Sequence, residues 1–310
     1  MKEGAAEMTV NMTTTEELRA RLRRVGIWMT PPTAHGLEPE AVGAEIERAG
    51  FTSVWVGGGN AKPQDFDVLR GLLAGSERLV VAPGIANVWA WEPAELRETA
   101  ERLATDFPGR FILGLGVSHA PLVTSLGHTY ARPLAKMEKF LGELDHPAHH
   151  GGERQLPPIV LAALGPKMLA LSAQHQGAHP YFTTPEHTKF ARNVLGAGPL
   201  LVPEQAVSLA ASPAAGLAAG RAYADRYLKL PNYTENLKKF GFSDTDIAGG
   251  GSDRLIEAII PSGAPTVLAR VREHLDAGAD HVVVQPLSET GAFAADQLAE
   301  LADALAGLLK

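Results

Sequence analysis

Short apolar runs recur along the chain at Val25 to Met29, Thr52 to Val56, Leu79 to Ile85, Phe111 to Leu115, Pro158 to Ala162, Ala178 to Phe182, Leu201 to Ala210 and His281 to Gln285. The runs at Leu79 and Phe111 do not alternate apolar with polar, so they read as strands covered on both faces. Pro203 inside the seventh run blurs its boundary. Between these two strands, Glu92-Pro93-Ala94-Glu95 opens a helix with Pro near its first turn and acids at its positive end, and Pro108-Gly109 closes it. The stretch from Glu77 to His119 is therefore a βαβ unit, the crossover that parallel strands require. Helices are predicted over Glu38 to Ala49, Asp65 to Leu73, Gly165 to Gln176, Pro185 to Leu195, Pro265 to Ala277 and Phe293 to Leu309, with loop and helix over Pro121 to Asp145.

Eight strands, each followed by helix, predict an α/β fold of the (β/α)8 TIM-barrel type. Residues 212–260 break the rhythm with a helical pattern, a helical insertion before strand eight, interrupted at Pro231 and at Gly249-Gly250-Gly251. A doubly wound open sheet is the competing architecture. It lacks its phosphate-binding fingerprint here, because Met29-Thr30-Pro31-Pro32 follows strand one. Residues 1–14 show no periodicity and read as a disordered tail, a capped helix begins at Thr15, and residues 15–310 read as one domain. In either architecture ligands sit beyond the carboxyl ends of the strands, so the largest pocket is expected there.

Composition narrows the chemistry. A net charge of −7 without a Lys/Arg-rich run speaks against nucleic acid and anionic membranes and favours small-molecule partners. The absence of Cys removes disulfides, thiolate catalysis and Cys-ligated metals. No signal-peptide core and no run of about 18 apolar residues occurs, which predicts a cytoplasmic protein that does not span a membrane.

Several motifs together resemble the luciferase-like monooxygenase superfamily, in particular its branch using the deazaflavin coenzyme F420. They are Gly84-Ile85-Ala86-Asn87-Val88 followed by Glu92-Pro93; Gly109-Arg110-Phe111 with Gly114-Leu115-Gly116 and Ser118-His119; Gly165-Pro166-Lys167-Met168-Leu169; and Pro185-Glu186-His187-Thr188. The resemblance implies a flavin-like ring at the C-terminal mouth, its phosphate near the loops after strands five and six, a helical wall over the pocket, and a homodimer. F420 is the implied coenzyme, with FMN the alternative. The chain departs from the family pattern at Gly57-Gly58-Gly59, where relatives often carry an acid or His, and at Trp91, where they often carry Arg.

On this resemblance the coenzyme-binding residues are Gly84, Ile85, Ala86, Asn87, Gly116, Ser118, His119, Ala163, Gly165, Pro166, Lys167 and Met168. It also implies a bulge with a non-prolyl cis peptide at Gly84-Ile85. Asn87, on its own an ordinary turn residue, then faces the ring's polar edge. His119, an exposed loop residue on the plain reading, becomes a coenzyme contact and the candidate proton donor. Lys167 is either solvated or beside a phosphate at a helix start. Trp28, Met29, Trp89 and Trp91 are the candidate substrate wall, while Trp55 reads as core. His146, His149 and His150 lie in a Pro- and Gly-rich loop without a carboxylate at ligand spacing, so no metal site is assigned. The implied activity is hydride transfer between the deazaflavin C5 and a small, largely apolar substrate: an activated alkene, imine, carbonyl or alcohol. The rival readings are an FMN-dependent monooxygenase, a coenzyme-binding protein without turnover, and a metal-dependent hydrolase suggested only by eleven His.

Overall fold

The computed structural model describes residues 14–58, 62–146, 155–287 and 295–309. Gly59, His149, His150 and residues 1–13 and 288–294 lie outside the described residues. Thr14 is ordered as the cap of helix α1 (Thr15–Leu22): its Oγ1 accepts the Glu17 N–H at 3.2 Å, and Glu17 Oε2 accepts the Thr14 N–H at 2.7 Å.

Every strand pairing is parallel. One sheet has the order β3 (Val80–Pro83), β2 (Ser53–Val56), β1 (Val25–Met29), β10 (Val282–Pro286) and β9 (Glu204–Val207). The other runs β4 (Ala86–Asn87), β5 (Leu113–Gly116), β6 (Ile159–Leu161), β7 (Gly177–Ala178) and β8 (Leu200–Leu201). Two of the eight expected strands are thus divided. Strand three breaks between β3 and β4 at Gly84-Ile85, and strand seven between β8 and β9 at Val202-Pro203, where proline has no N–H for a ladder bond. Hydrogen bonds flank both breaks: Ile112 N donates to Val81 O at 3.1 Å, and Glu204 N to Pro180 O at 2.9 Å.

Between strands lie α2 (Pro39–Arg48), α3 (Asp65–Ala74), α4 (Pro93–Asp106), α5 (Ala120–Ser125), α6 (Pro133–Leu144), α7 (Pro166–Ser172) and α8 (Pro185–Leu195). Proline sits in the first turn of α2, α4, α7 and α8, where its missing N–H costs nothing. Helix α7 stops four residues short of the expected Gln176. Four helices, α9 (Pro213–Tyr227), α10 (Pro231–Lys239), α11 (Asp244–Ile247) and α12 (Asp253–Ile259), precede α13 (Ala264–Asp276); α14 (Ala295–Ala304) follows β10.

Successive strand residues point to opposite faces and sort into two apolar layers. Ile27, Val54, Val56, Val81, Leu113, Val282 and Val284 pack outward against helices. Trp28, Trp55, Val80, Ala82, Ile112, Val160 and Val283 pack together on the inner face. Leu18 and Leu22 of α1 join this inner cluster, and Arg19 fixes the helix through Asp280 at 2.8 Å. A third cluster joins α9, α10 and α12 to Phe182 and Ala206.

Candidate functional site

The corner between β3 and β4 is organised by two glycines. The Gly84–Ile85 peptide is cis, at the bond the resemblance pointed to. A Cβ on Gly84 would lie 2.9 Å from Trp28 Nε1 and 3.7 Å from His179 Nε2, so the missing side chain leaves a notch facing two ring nitrogens. Neither nitrogen has a hydrogen-bond partner among the described residues. On Gly116, a Cβ would meet Ile85 Cγ1 at 2.4 Å and Ala162 Cβ at 3.2 Å. The Ile85 side chain therefore lies across the end of β5, and Gly116 is the residue that admits it.

Asn87 is buried. Its Oδ1 accepts the Trp89 N–H at 3.1 Å, which orients the amide and leaves Nδ2 enclosed without a partner among the described residues. Such a buried donor calls for an acceptor from a ligand or water. Trp89, half-buried, donates from Nε1 to Val117 O at 2.9 Å and lies 5.3 Å from the Lys136 ammonium. Ser118 adopts a left-handed backbone, φ 56°, and its carbonyl accepts from Tyr130 at 3.4 Å. His119 then places Nε2 3.3 Å from Tyr233 Oη on α10. Burial lowers its pKa, partly opposed by a hydrogen bond to the Asn232 side chain. At neutral pH the ring is uncharged, which suits hydrogen bonding better than service as a cationic acid.

The loops after β6 and β7 form the other flank. Ala163 packs with Leu169, Ala178 and Leu201 in an apolar cluster, and Met168 rests against it, so these two present backbone rather than side chain. Pro166 takes the first position of α7 without an N–H to offer, and Lys167 is exposed. More informative residues lie after β7, where the sequence offered only a helix start. Thr184 caps α8 without a side-chain bond to it, and the hydroxyls of Thr183 and Thr184 and Nδ1 of His187 are buried without partners among the described residues. His187 Nε2 donates to Leu164 O at 2.9 Å, and burial lowers this ring to about 4, so it too is neutral. Free hydroxyls beside the unpaired first-turn N–H groups of an 11-residue helix suit an anion.

Aromatic rings cluster just beyond β7, against α9 and α10. Tyr181 packs 5.2 Å from Trp28 and 5.4 Å from Tyr227, while Tyr227 stacks on Phe182 at 4.9 Å. This cluster went unrecognised in the sequence, although Tyr223 and Tyr227 show the i, i+4 spacing that puts two rings on one helix face. Met29 and Trp91, 6% and 4% exposed, pack in the layer between strands and helices, where Trp91 meets Phe66 edge-on at 5.2 Å. Met29 follows inward-facing Trp28 and so takes the opposite face. Trp55 is core, as expected, with its ring 4.5 Å from His179.

A cavity of about 490 Å³ lies at the amino ends of the strands, lined by Arg21, Glu47, Thr52 and Arg78 among others. A smaller one of about 390 Å³ lies beyond the carboxyl ends of β1 and β2, between Pro31, Thr33, Gly58 and Asp65. Among the described residues no group of three or more His, Asp or Glu could hold a metal, and no helix is long and apolar enough to cross a membrane.

Comparison with known proteins agrees with this architecture. The family model for luciferase-like monooxygenase matches residues 38–197. Among solved structures, the coenzyme F420 dependent tetrahydromethanopterin reductase from Methanopyrus kandleri is similar at 17% identity with a TM-score of 0.69, covering 93% of this chain and 99% of its own. An F420-dependent secondary alcohol dehydrogenase in complex with an F420-acetone adduct matches at 13% identity and TM-score 0.68, covering 92% and 98%. The FMN complex of the oxygenating constituent of 3,6-diketocamphane monooxygenase from Pseudomonas putida matches at 12% identity and TM-score 0.67, covering 93% and 97%. No curated protein sequence matches the chain.

Proposed function

The chain belongs to the luciferase-like monooxygenase family, and on that premise we propose that it is an F420-dependent oxidoreductase. The two sheets, sharing two interrupted strands, are read as one (β/α)8 barrel, and α9 to α12 as the wall of its mouth. The observation that carries the reading is the corner at Gly84 to Asn87: a glycine notch, an apolar side chain laid across Gly116, and an oriented amide whose Nδ2 has no acceptor among the described residues. A planar ring with a polar edge fits those three features.

When bound, the coenzyme would supply a hydride at C5 and leave the protein to do the positioning. Asn87 Nδ2 would hold the ring's polar edge and Ile85 would back its face. Thr183, Thr184 and the start of α8 would hold the phosphate, with the Gly165 loop beside them. Trp28 and Trp89 remain as aromatic walls, and a small, largely apolar alkene, imine, carbonyl or alcohol would meet the open face with water excluded. His119 serves as a neutral contact to coenzyme or substrate. A cytosolic homodimer is the expected setting. The FMN-dependent monooxygenase is the second reading, favoured by the same corner, which does not discriminate between the two rings.

Asn87→Ala tests the carrying observation. Loss of the amide should weaken coenzyme binding by about 1 to 2 kcal/mol, the scale of one buried hydrogen bond, without unfolding the protein. Fluorescence titration of wild type and variant measures this; unchanged affinity would remove the ring from this corner.

A further inference from the structure

Glu204 opens β9 and shares the register position of inward-facing Val283. It is 1% exposed, its Oε2 accepts the Phe182 N–H at 3.1 Å, and its Oε1 has no partner among the described residues. The cation acting on it, Arg226, forms no ion pair with it and is exposed on α9, over the faces of Tyr223 and Tyr227 at 4.8 and 5.0 Å. Burial raises the Glu204 carboxyl to about 8, against the opposing pull of the Phe182 N–H and Arg226. At neutral pH it therefore holds its proton. Because Oε2 is engaged as an acceptor, the proton belongs on Oε1, the oxygen without a partner, and a buried O–H without an acceptor is costly.

The neighbouring tyrosines present the complementary shortage. Tyr181 Oη lies 2.7 Å from Tyr223 Oη, 2.8 Å from Tyr227 Oη and 2.9 Å from Gln285 Oε1, and Tyr223 Oη lies 3.0 Å from the same Gln285 oxygen. These four contacts share only three hydroxyl protons, since an amide oxygen brings none. Tyr181 is bonded in sequence to Phe182, whose N–H holds Glu204. Burial first, then the neighbouring tyrosines and Glu204, keep Tyr181 well above the usual phenol range, so the phenols stay protonated carriers rather than fixed anions. From α10, Tyr233 packs 5.4 Å from Tyr227 and reaches His119 Nε2 at 3.3 Å. From the end of β7, His179 is neutral, lowered to about 4 by burial against its bond to Val202 O, so it adds no charge.

We propose that Glu204 is the proton store for the reaction at the mouth, its Oε1, which bonds no described protein group, exchanging its proton by way of a bridging water with Tyr181 and the hydroxyls bonded to it. The proposal rests on the oxidoreductase reading above. For a carbonyl substrate, the hydride from the reduced coenzyme adds to carbon and the π pair moves onto oxygen. That oxygen takes a proton from the hydroxyl chain, which is refilled as Glu204 becomes a carboxylate. An alcohol and oxidised coenzyme result, and solvent reprotonates Glu204 before the next turnover. Glu204 touches no reacting atom and acts as a positioning and relay residue.

The test has one arm that needs no coenzyme. Difference infrared spectra of the chain alone, recorded across the alkaline range, should show a protonated-carboxyl band that titrates near pH 8 and is missing in Glu204→Gln. Glutamine keeps an acceptor for the Phe182 N–H, so the variant should fold. In the second arm, single-turnover transfer by the coenzyme-bound enzyme should lose rate on the alkaline side in wild type. Glu204→Gln should be slower on the order of a hundredfold and lack that pH limb, while Glu204→Asp should recover part of the rate. A carboxyl already ionised at neutral pH, or a Glu204→Gln profile superimposable on wild type, would overturn the proposal while leaving coenzyme binding intact. Failure of F420 and FMN alike to bind would remove it together with the reading beneath it.

Discussion

Lowering the pH from neutral to about 4 is expected to unfold the protein cooperatively, because four histidines are buried in their neutral form. His179, His187 and His281 are each lowered by burial to about 4 and His274 to about 3, against 6.5 for a free imidazole. Their hydrogen bonds specify the uncharged tautomer. His274 Nε2 donates to Gln205 Oε1 at 2.9 Å while Nδ1 accepts from Thr188 at 2.7 Å, and His281 Nε2 accepts from Ser53 at 2.7 Å. The unfolded chain binds protons below about 6.5 that the folded chain refuses until about 4, so stability is fully present above the first value and is lost as pH falls through the second. Each histidine contributes on the order of 3 kcal/mol across that window, and four together rival the ~5 to 15 kcal/mol that holds a domain folded. Glu204 works in the opposite sense: its raised pKa contributes stability that is present below about 4.5 and lost as pH rises through about 8. Four groups outweigh one below 6.5, while above it Glu204 and, in the phenol range, the buried tyrosines lower stability, so maximal stability is expected near pH 6.5. Melting temperatures across the pH range check this. A protein as stable at about pH 4 as at neutrality would contradict it.

Replacing Ile85 by Gly is expected to slow hydride transfer by as much as about a hundredfold, because a small misplacement of reacting atoms costs that much. The side chain is held by the carboxyl end of β5, against the positions of Gly116 and Ala162, so it is a firm backstop for a ring rather than a mobile contact. Affinity should fall by no more than about tenfold, the scale of one or two buried methylenes. Stopped-flow single turnovers set beside equilibrium titrations separate the two. Ile85→Val should lie close to wild type, and a Gly variant losing affinity and rate in equal measure would show that Ile85 binds the ring without aligning it.

The sequence revealed those features that depend on local pattern. The runs at Val25, Ser53 and Val282 are doubly buried strands because both faces meet apolar layers, and their composition says so. Gly84 and Gly116 were legible as places where a side chain is not tolerated, and Asn87 as a polar group beside them. What remained hidden depends on parity and on long-range contact. Trp28 and Met29 are neighbours in sequence on opposite faces, so a list of aromatic or large residues near a strand end does not say which side of the sheet each one takes. Phe182 and Glu204 come together only where the chain just after β7 hydrogen-bonds the start of β9 beside the broken seventh strand. The available signal was a glutamate inside an apolar run, Leu200 to Val207, whose faces are both buried. The unpartnered hydroxyls of Thr183 and Thr184 were likewise invisible, since Thr before Pro reads equally well as an ordinary helix cap.

The central claim is that a flavin-like ring sits at the corner formed by Gly84, Ile85, Asn87 and Gly116, with F420 preferred to FMN. The most direct measurement is a side-by-side titration of the protein with coenzyme F420 and with FMN, aerobically and anaerobically, followed by fluorescence quenching. F420 should bind with a Kd in the micromolar range or tighter, about −8 kcal/mol or better, and FMN markedly more weakly. Tighter FMN binding with NADH-driven oxygen consumption would contradict the F420 assignment in favour of the monooxygenase reading, and no binding of either would contradict the site itself.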